Sequence, residues 1–106
     1  MRKAGRRAAA GAVRMVALPT PHSDCHVGIA AAGVCSAVER NRVRRRVRAA
    51  WREAAHGVGG LDVLVRVSGD AAGRRFTELV DDVRRCLLEV NRQHDAEAPR
   101  HGAQAN

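Results

Sequence analysis

The spacing of apolar positions along the chain alternates between a strand-like and a helical period. Residues 12–18 (AVRMVAL) are rich in β-branched and aliphatic side chains and predict a strand. Pro19-Thr-Pro-His-Ser-Asp24 breaks regular structure and reads as a turn. Cys25 to Ala32 predicts a second strand, with Val27 and Ile29 on one face and Gly28 on the other. The short connection predicts that these two strands pair antiparallel. Gly33 to Ser36 ends the second strand, and Ser36-Ala-Val-Glu39 fits a capping box that opens a helix. Val43, Val47, Ala50, Trp51 and Ala54 then fall on one apolar stripe, which stops at His56-Gly57. Leu61 to Val67 predicts a third strand, buried on both faces if Leu64 and its valine neighbours point both ways. After a turn at Ser68-Gly69-Asp70, Phe76, Leu79, Val80, Val83, Leu87 and Val90 mark a helix over 75–92. Cys86 lies in or beside that stripe as a small core residue.

The order strand–strand–helix–strand–helix predicts a small α+β fold with helices packed on one face of a sheet. Residues 1–95 read as a single domain, and 96–106, without periodicity, as a disordered tail. At 106 residues the chain suits one hydrophobic core. That core is aliphatic, because Trp51 and Phe76 are the only aromatic residues. No run of 18 apolar residues is present, which excludes a transmembrane helix. Cys25, Cys35 and Cys86 form an odd set without C-x-x-C, so neither a disulfide framework nor a four-thiolate zinc site can be drawn. The Arg-rich start has no serine before Ser23, and Gly11 and Arg14 interrupt its apolar stretch. We therefore expect a cytoplasmic protein rather than a cleaved targeting segment.

Charge is distributed unevenly. The net charge is +8, but residues 1–60 carry 12 basic and 3 acidic side chains, whereas residues 61–106 carry 7 and 8. One-sided charge of this kind points to a polyanionic partner. Its centre is Arg40 to Arg52 (RNRVRRRVRAAWR), with seven arginines among 13 residues. Helical spacing sets Arg42, Arg44, Arg45, Arg46, Arg48 and Arg52 away from the Val43/Val47/Trp51 stripe, with Arg40 near its edge. Like charges at i, i+4, such as Arg40/Arg44 and Arg44/Arg48, repel in the free protein. Phosphates relieve that repulsion, since guanidinium forks match phosphate oxygens and displace counterions. A solvated charged face is the plain alternative in a chain with 18 Arg, one Lys and 20 Ala. That bias accounts for Arg over Lys but not for the one-sided density. Membrane-surface binding is disfavoured, because Trp51 is the helix's only large interfacial side chain.

Val27-Gly-Ile29, then Ala37-Val-Glu-Arg-Asn-Arg-Val-Arg-Arg-Arg-Val-Arg48, then the strand 61–67 resemble the protein component of bacterial ribonuclease P. The resemblance runs from about Gly5 to Val90, and its hallmark is R-N-R opening a basic helix after a V-G-(I/L) strand. It implies a fold similar to the second domain of a small-subunit ribosomal protein, with the basic helix crossing between parallel strands in the left-handed sense. It further implies a protein subunit without an active site of its own. The partner is a large catalytic RNA that uses Mg²⁺ to cleave precursor tRNA at the mature 5′ end. The protein would dock on ribonuclease P RNA and bind the 5′ leader on its sheet, with neither DNA nor membrane as partner. The RNA-contacting set is then Arg40, Asn41, Arg42, Arg44, Arg45, Arg46, Arg48 and Arg52, with the Asn41 amide orienting a phosphate or hydrated metal.

Three features depart from the family. The usual N-terminal helix with paired Phe is lacking at the start of this sequence. Val13 and Val16 stand where aromatic side chains commonly line the leader cleft, and Ala32, Gly33 and Cys35 replace part of an S-K-K-x-G stretch. We expect weaker leader contacts and heavier reliance on the arginine helix.

Other chemistry finds less support. His22, Cys25 and His26 are three possible metal ligands, one short of a zinc set. Glu78, Asp81 and Asp82 read as a solvent face. No phosphate-binding loop, nucleophile elbow or H-E-x-x-H pattern occurs. The rival function is a ribosome-associated or general RNA-binding module. A helix-turn-helix regulator is disfavoured, because strands rather than a partner helix flank the basic segment.

Overall fold

A computed structural model describes residues 5–21, 25–31, 33, 36–55 and 58–97. Four strands form one sheet: β1 (Arg6–Ala10), β2 (Val13–Pro19), β3 (Cys25–Ala31) and β4 (Leu61–Val67). Helix α1 (Ala37–Ala54) follows β3, and α2 (Phe76–Glu97) follows β4 after a short 3-10 helix at Gly69–Gly73. The strand order is β1-β2-β4-β3. β1 and β4 both pair antiparallel with β2, and β3 pairs parallel with β4. α1 is therefore the crossover between two parallel neighbours. No helix among the described residues is long and apolar enough to cross a membrane.

Strand alternation decides which face is buried. Val13, Met15 and Ala17 of β2 and Leu61, Val63, Val65 and Val67 of β4 point toward the helices and are nearly inaccessible. Val43, Val47, Ala50 and Trp51 of α1 and Leu79, Val80, Val83, Cys86, Leu87 and Val90 of α2 cover them. α2 lies across β1 and β2, α1 lies beside β3, and the two helices pack on each other. Among the described residues, no helix covers the opposite sheet face.

The predicted class, a small α+β layer, is the one found, with three corrections to its detail. The strands at 12–18 and 25–32 are not a pair: β4 inserts between them. A seven-residue central strand with Leu61, Val63, Val65 and Val67 at every second position offers more burial than direct pairing across the Pro19–Asp24 turn. β1 goes beyond the three expected strands, because RRAAA has neither β-branched residues nor alternation. It forms by pairing along its whole length with β2, from Arg6 opposite Ala17 to Ala10 opposite Val13. β4 is buried on one face only, and Leu64 is 42% exposed.

The helix ends also differ from expectation. Ser36 caps α1 as predicted, its hydroxyl accepting the Glu39 backbone N–H at 3.1 Å. α1 ends at Ala54; His56 and Gly57, read as its stop, lie outside the described residues. α2 runs to Glu97 rather than 92, because residues 93–97 contain no helix breaker and need no apolar stripe to continue a formed helix. It therefore crosses the boundary read between domain and tail.

Candidate nucleic-acid interface

α1 presents two chemically different sides. At about 100° per residue, Asn41, Arg44, Arg45 and Arg48 share the side opposite the valine stripe. Together they line a shallow concavity of about 400 Å³. Arg42, Arg44, Arg45, Arg48 and Arg52 are all exposed, and Arg40 is half-buried. Among the described residues, no carboxylate lies within ion-pair reach of Arg42, Arg44, Arg45, Arg48 or Arg52. The face is a cationic cradle with no acidic partner among the described residues, and the Asn41 amide adds a neutral donor group and an acceptor to it.

Arg46 departs from its predicted orientation. It is half-buried, and its guanidinium donates to the carbonyls of Ala71 at 2.9 Å, Ala72 at 3.4 Å and Arg74 at 2.6 Å. The helical wheel contains the reason: Arg46 lies only about 60° from Val43, beside Ala50 on the edge of the buried stripe. A long side chain there can reach an adjacent element.

A second cationic surface lies on the open sheet face. Arg14 of β2 stands directly opposite Arg66 of β4, and Arg7 of β1 stands opposite Val16. Arg7, Arg14 and Arg66 line, with Ala9 and Val16, a concavity of about 350 Å³. Like charges opposed across strands are destabilising unless an anion lies between them. No acidic side chain among the described residues pairs with these three. Sequence reasoning missed this cluster. Its signal is the alternation itself, which sends residues 14 and 66 to the face opposite Val13, Met15, Val65 and Val67. Val16 lies on this face as expected for a cleft position, whereas Val13 is buried in the core. Leu18 and Leu64 add exposed apolar area beside the arginines.

Of the acidic residues read as a solvent face on α2, Glu78 is exposed and Asp81 half-buried, but Asp82 does not belong to it. Asp82 is buried, accepts hydrogen bonds from the Arg74 guanidinium and takes the Ala12 backbone N–H at 3.2 Å. Glu78 accepts the Arg75 backbone N–H at 2.9 Å, which holds its carboxyl below the usual range and caps the helix. Asp81 pairs with Arg85. Cys86 is buried under β2, and desolvation pushes its thiol up to about 11, so it packs as an inert core residue. His26 sits 3.3 Å from Asp62 on the exposed sheet face. Cys25 is half-buried, and His22 and Cys35 lie outside the described residues. Among the described residues, no three metal-ligating side chains gather.

Known proteins share this architecture. The protein-family model described as Ribonuclease P matches residues 1–91. The chain is 38% identical over 78 residues to the ribonuclease P protein component of a Nocardioides species, covering 72% of this chain and 67% of that one. Its fold is similar to the RNase P protein of Staphylococcus aureus, with a TM-score of 0.67, 16% identity and 79% of each chain covered. It is also similar to that of Thermotoga maritima, with a TM-score of 0.66, 20% identity and 80% and 84% of the two chains covered.

Proposed function

We propose a docking role from one premise: the chain belongs to the ribonuclease P protein family. It is a ribonuclease P protein component, part of an endoribonuclease of tRNA processing, and an RNA partner follows from that membership. In our reading it is the non-catalytic subunit of a cytoplasmic ribonucleoprotein. The outward face of α1 docks on ribonuclease P RNA, and the open sheet face holds the 5′ leader of precursor tRNA.

The observation that carries this reading is the cradle formed by Asn41, Arg44, Arg45 and Arg48, which faces solvent with no acidic partner among the described residues. Guanidinium groups are permanently charged, planar donors, so they bind phosphate oxygens and cannot hold a cation or accept a proton. The family resemblance implies that Mg²⁺ belongs with the RNA, whose phosphates would supply oxygen ligands and where it would activate the hydrolytic step. The protein contributes affinity and alignment. On the sheet, Arg7, Arg14 and Arg66 hold leader phosphates, while Val16 and Leu64 offer apolar contact without an aromatic ring to stack on.

Reconstitution with the RNA subunit at low Mg²⁺ tests the role. The wild-type chain should stimulate tRNA 5′ processing, with log K for the RNA falling steeply as log salt rises. Replacing Arg44, Arg45 and Arg48 together by Ala should flatten that slope by roughly 0.7–0.9 per lost contact while the fold survives. No stimulation, or an unchanged slope, would overturn the assignment.

A further inference from the structure

We propose that Arg46 is a positioning residue that sets the orientation of the docking helix and makes no RNA contact itself. The inference rests on the docking role proposed above for α1. Apolar contacts hold α1 to the sheet through Val43, Val47, Ala50 and, in its C-terminal half, Trp51, but hydrophobic attraction has no direction. Such a stripe fixes which side is buried more firmly than it fixes the tilt of the helix on the sheet and its position along its own axis. Directional bonds must do the rest.

Arg46 supplies them. The Ala72 and Arg74 carbonyls lie at the C-terminal end of the short 3-10 helix and just beyond it, where the dipole is negative, and the Ala71 carbonyl, which also accepts the Arg74 backbone N–H at 3.4 Å, lies in that last turn. The short helix has no basic residue in its own last turn. A guanidinium on α1 fills that role, and its fixed fork engages three acceptors from one direction.

The acceptors are themselves anchored. Arg74, whose carbonyl takes the 2.6 Å bond from Arg46, directs its own guanidinium to the buried Asp82 carboxylate. Asp82 in turn receives the Ala12 N–H from the turn between β1 and β2. A continuous line of hydrogen bonds thus joins that turn to α2, to the 3-10 helix and to α1. It reaches α1 on the flank away from the Asn41/Arg44/Arg45/Arg48 cradle. The arginine that looks most like one more phosphate ligand in the RRR run of residues 44–46 has its terminal donors committed inward.

Salt titration of binding to ribonuclease P RNA, on protein verified as folded by circular dichroism, tests the assignment. Arg46→Ala should weaken binding by about tenfold or more, the scale of one misaligned charge-assisted hydrogen bond, with the salt slope unchanged. Arg44→Ala, run beside it, should lower the slope by roughly 0.7–0.9. Arg46→Lys keeps the charge, loses the fork and should bind between wild type and Arg46→Ala, again at the wild-type slope. A slope that falls in Arg46→Ala as it does in Arg44→Ala would make Arg46 an RNA contact and overturn the proposal. Unchanged affinity in folded Arg46→Ala, with only the melting temperature lowered, would reduce the residue to a stability role and overturn it too. Wild-type affinity in Arg46→Lys would show that charge suffices without the fork, and the proposal would fall on that result as well. Failure of the docking role itself would appear differently, as wild-type protein without salt-dependent RNA binding.

Discussion

The Asp82 carboxylate grips the Arg74 guanidinium from both sides of the fork, 3.1 Å from Nε and 2.8 Å from the terminal nitrogen. Asp82 is almost wholly buried, whereas about a third of the Arg74 side chain remains accessible. Losing the carboxylate leaves the Ala12 N–H without its acceptor and releases Arg74 toward water. Asp82→Ala should therefore destabilise the fold by about 2–3 kcal/mol, less than the loss of a fully buried pair. Denaturant melting measures it, and a change below about 1 kcal/mol would refute the account.

Gly11 belongs to the same arrangement. Its φ of +54° is left-handed, and a Cβ built there would overlap the Asp82 carboxylate oxygens. Gly11→Ala should cost about 1–2 kcal/mol for the backbone conformation alone, with the displaced carboxylate adding to it. Combined with Asp82→Ala the penalty should be less than additive, because the steric conflict is gone. Strict additivity in a double-mutant cycle would show the two sites to be independent.

Trp51 anchors the C-terminal half of α1 and is 9% exposed. Trp51→Ala should destabilise by about 3–5 kcal/mol through lost burial and the cavity left behind. Equilibrium unfolding in urea reads this directly. A negligible loss would contradict the packing of α1 on the core.

If the open sheet face holds the leader as proposed, the sheet arginines should separate leader binding from docking. Replacing Arg7, Arg14 and Arg66 by Ala should shrink the preference for leader-bearing over leaderless precursor tRNA while leaving affinity for the RNA subunit intact. Neither aromatic residue serves this face, since Trp51 is buried and Phe76 sits on α2. Leader binding should accordingly be insensitive to base identity. An undiminished preference in the triple variant would place the leader elsewhere.

Acid should loosen the attachment of α2 to β1. Hydrogen bonds from Arg92 and Gln93 hold the Glu89 carboxyl down to about 2, and Gln93 also donates to the Arg7 carbonyl at 2.9 Å. A depressed folded-state pKa stabilises above the ordinary carboxylate range and loses its contribution as pH falls toward 2. The acid branch of the stability profile between about pH 4.5 and 2 should flatten in Glu89→Gln. An unaltered profile would show the carboxylate to be uncoupled from folding.

Much of this protein is legible in its sequence alone. The Ser36 cap, the valine stripe of α1, the apolar run at 61–67 and the arginine density of 40–52 are local signals, each written within a few residues of its consequence. They specify two helices, three strands, one buried face per helix and a densely cationic segment. Long-range competition settled the remainder. β1 exists because β2 offers it a partner, and β4 divides the strands at 12–18 and 25–32 because its valines bury best at the centre. Asp82 is buried because Arg74 and Ala12 meet it from other elements, Ala12 from 70 positions away. Arg46 turned inward because the fold brings carbonyls 25 to 28 positions downstream within reach of its guanidinium. Periodicity tells which way a side chain leaves its own element, but what it meets there is decided by the rest of the chain.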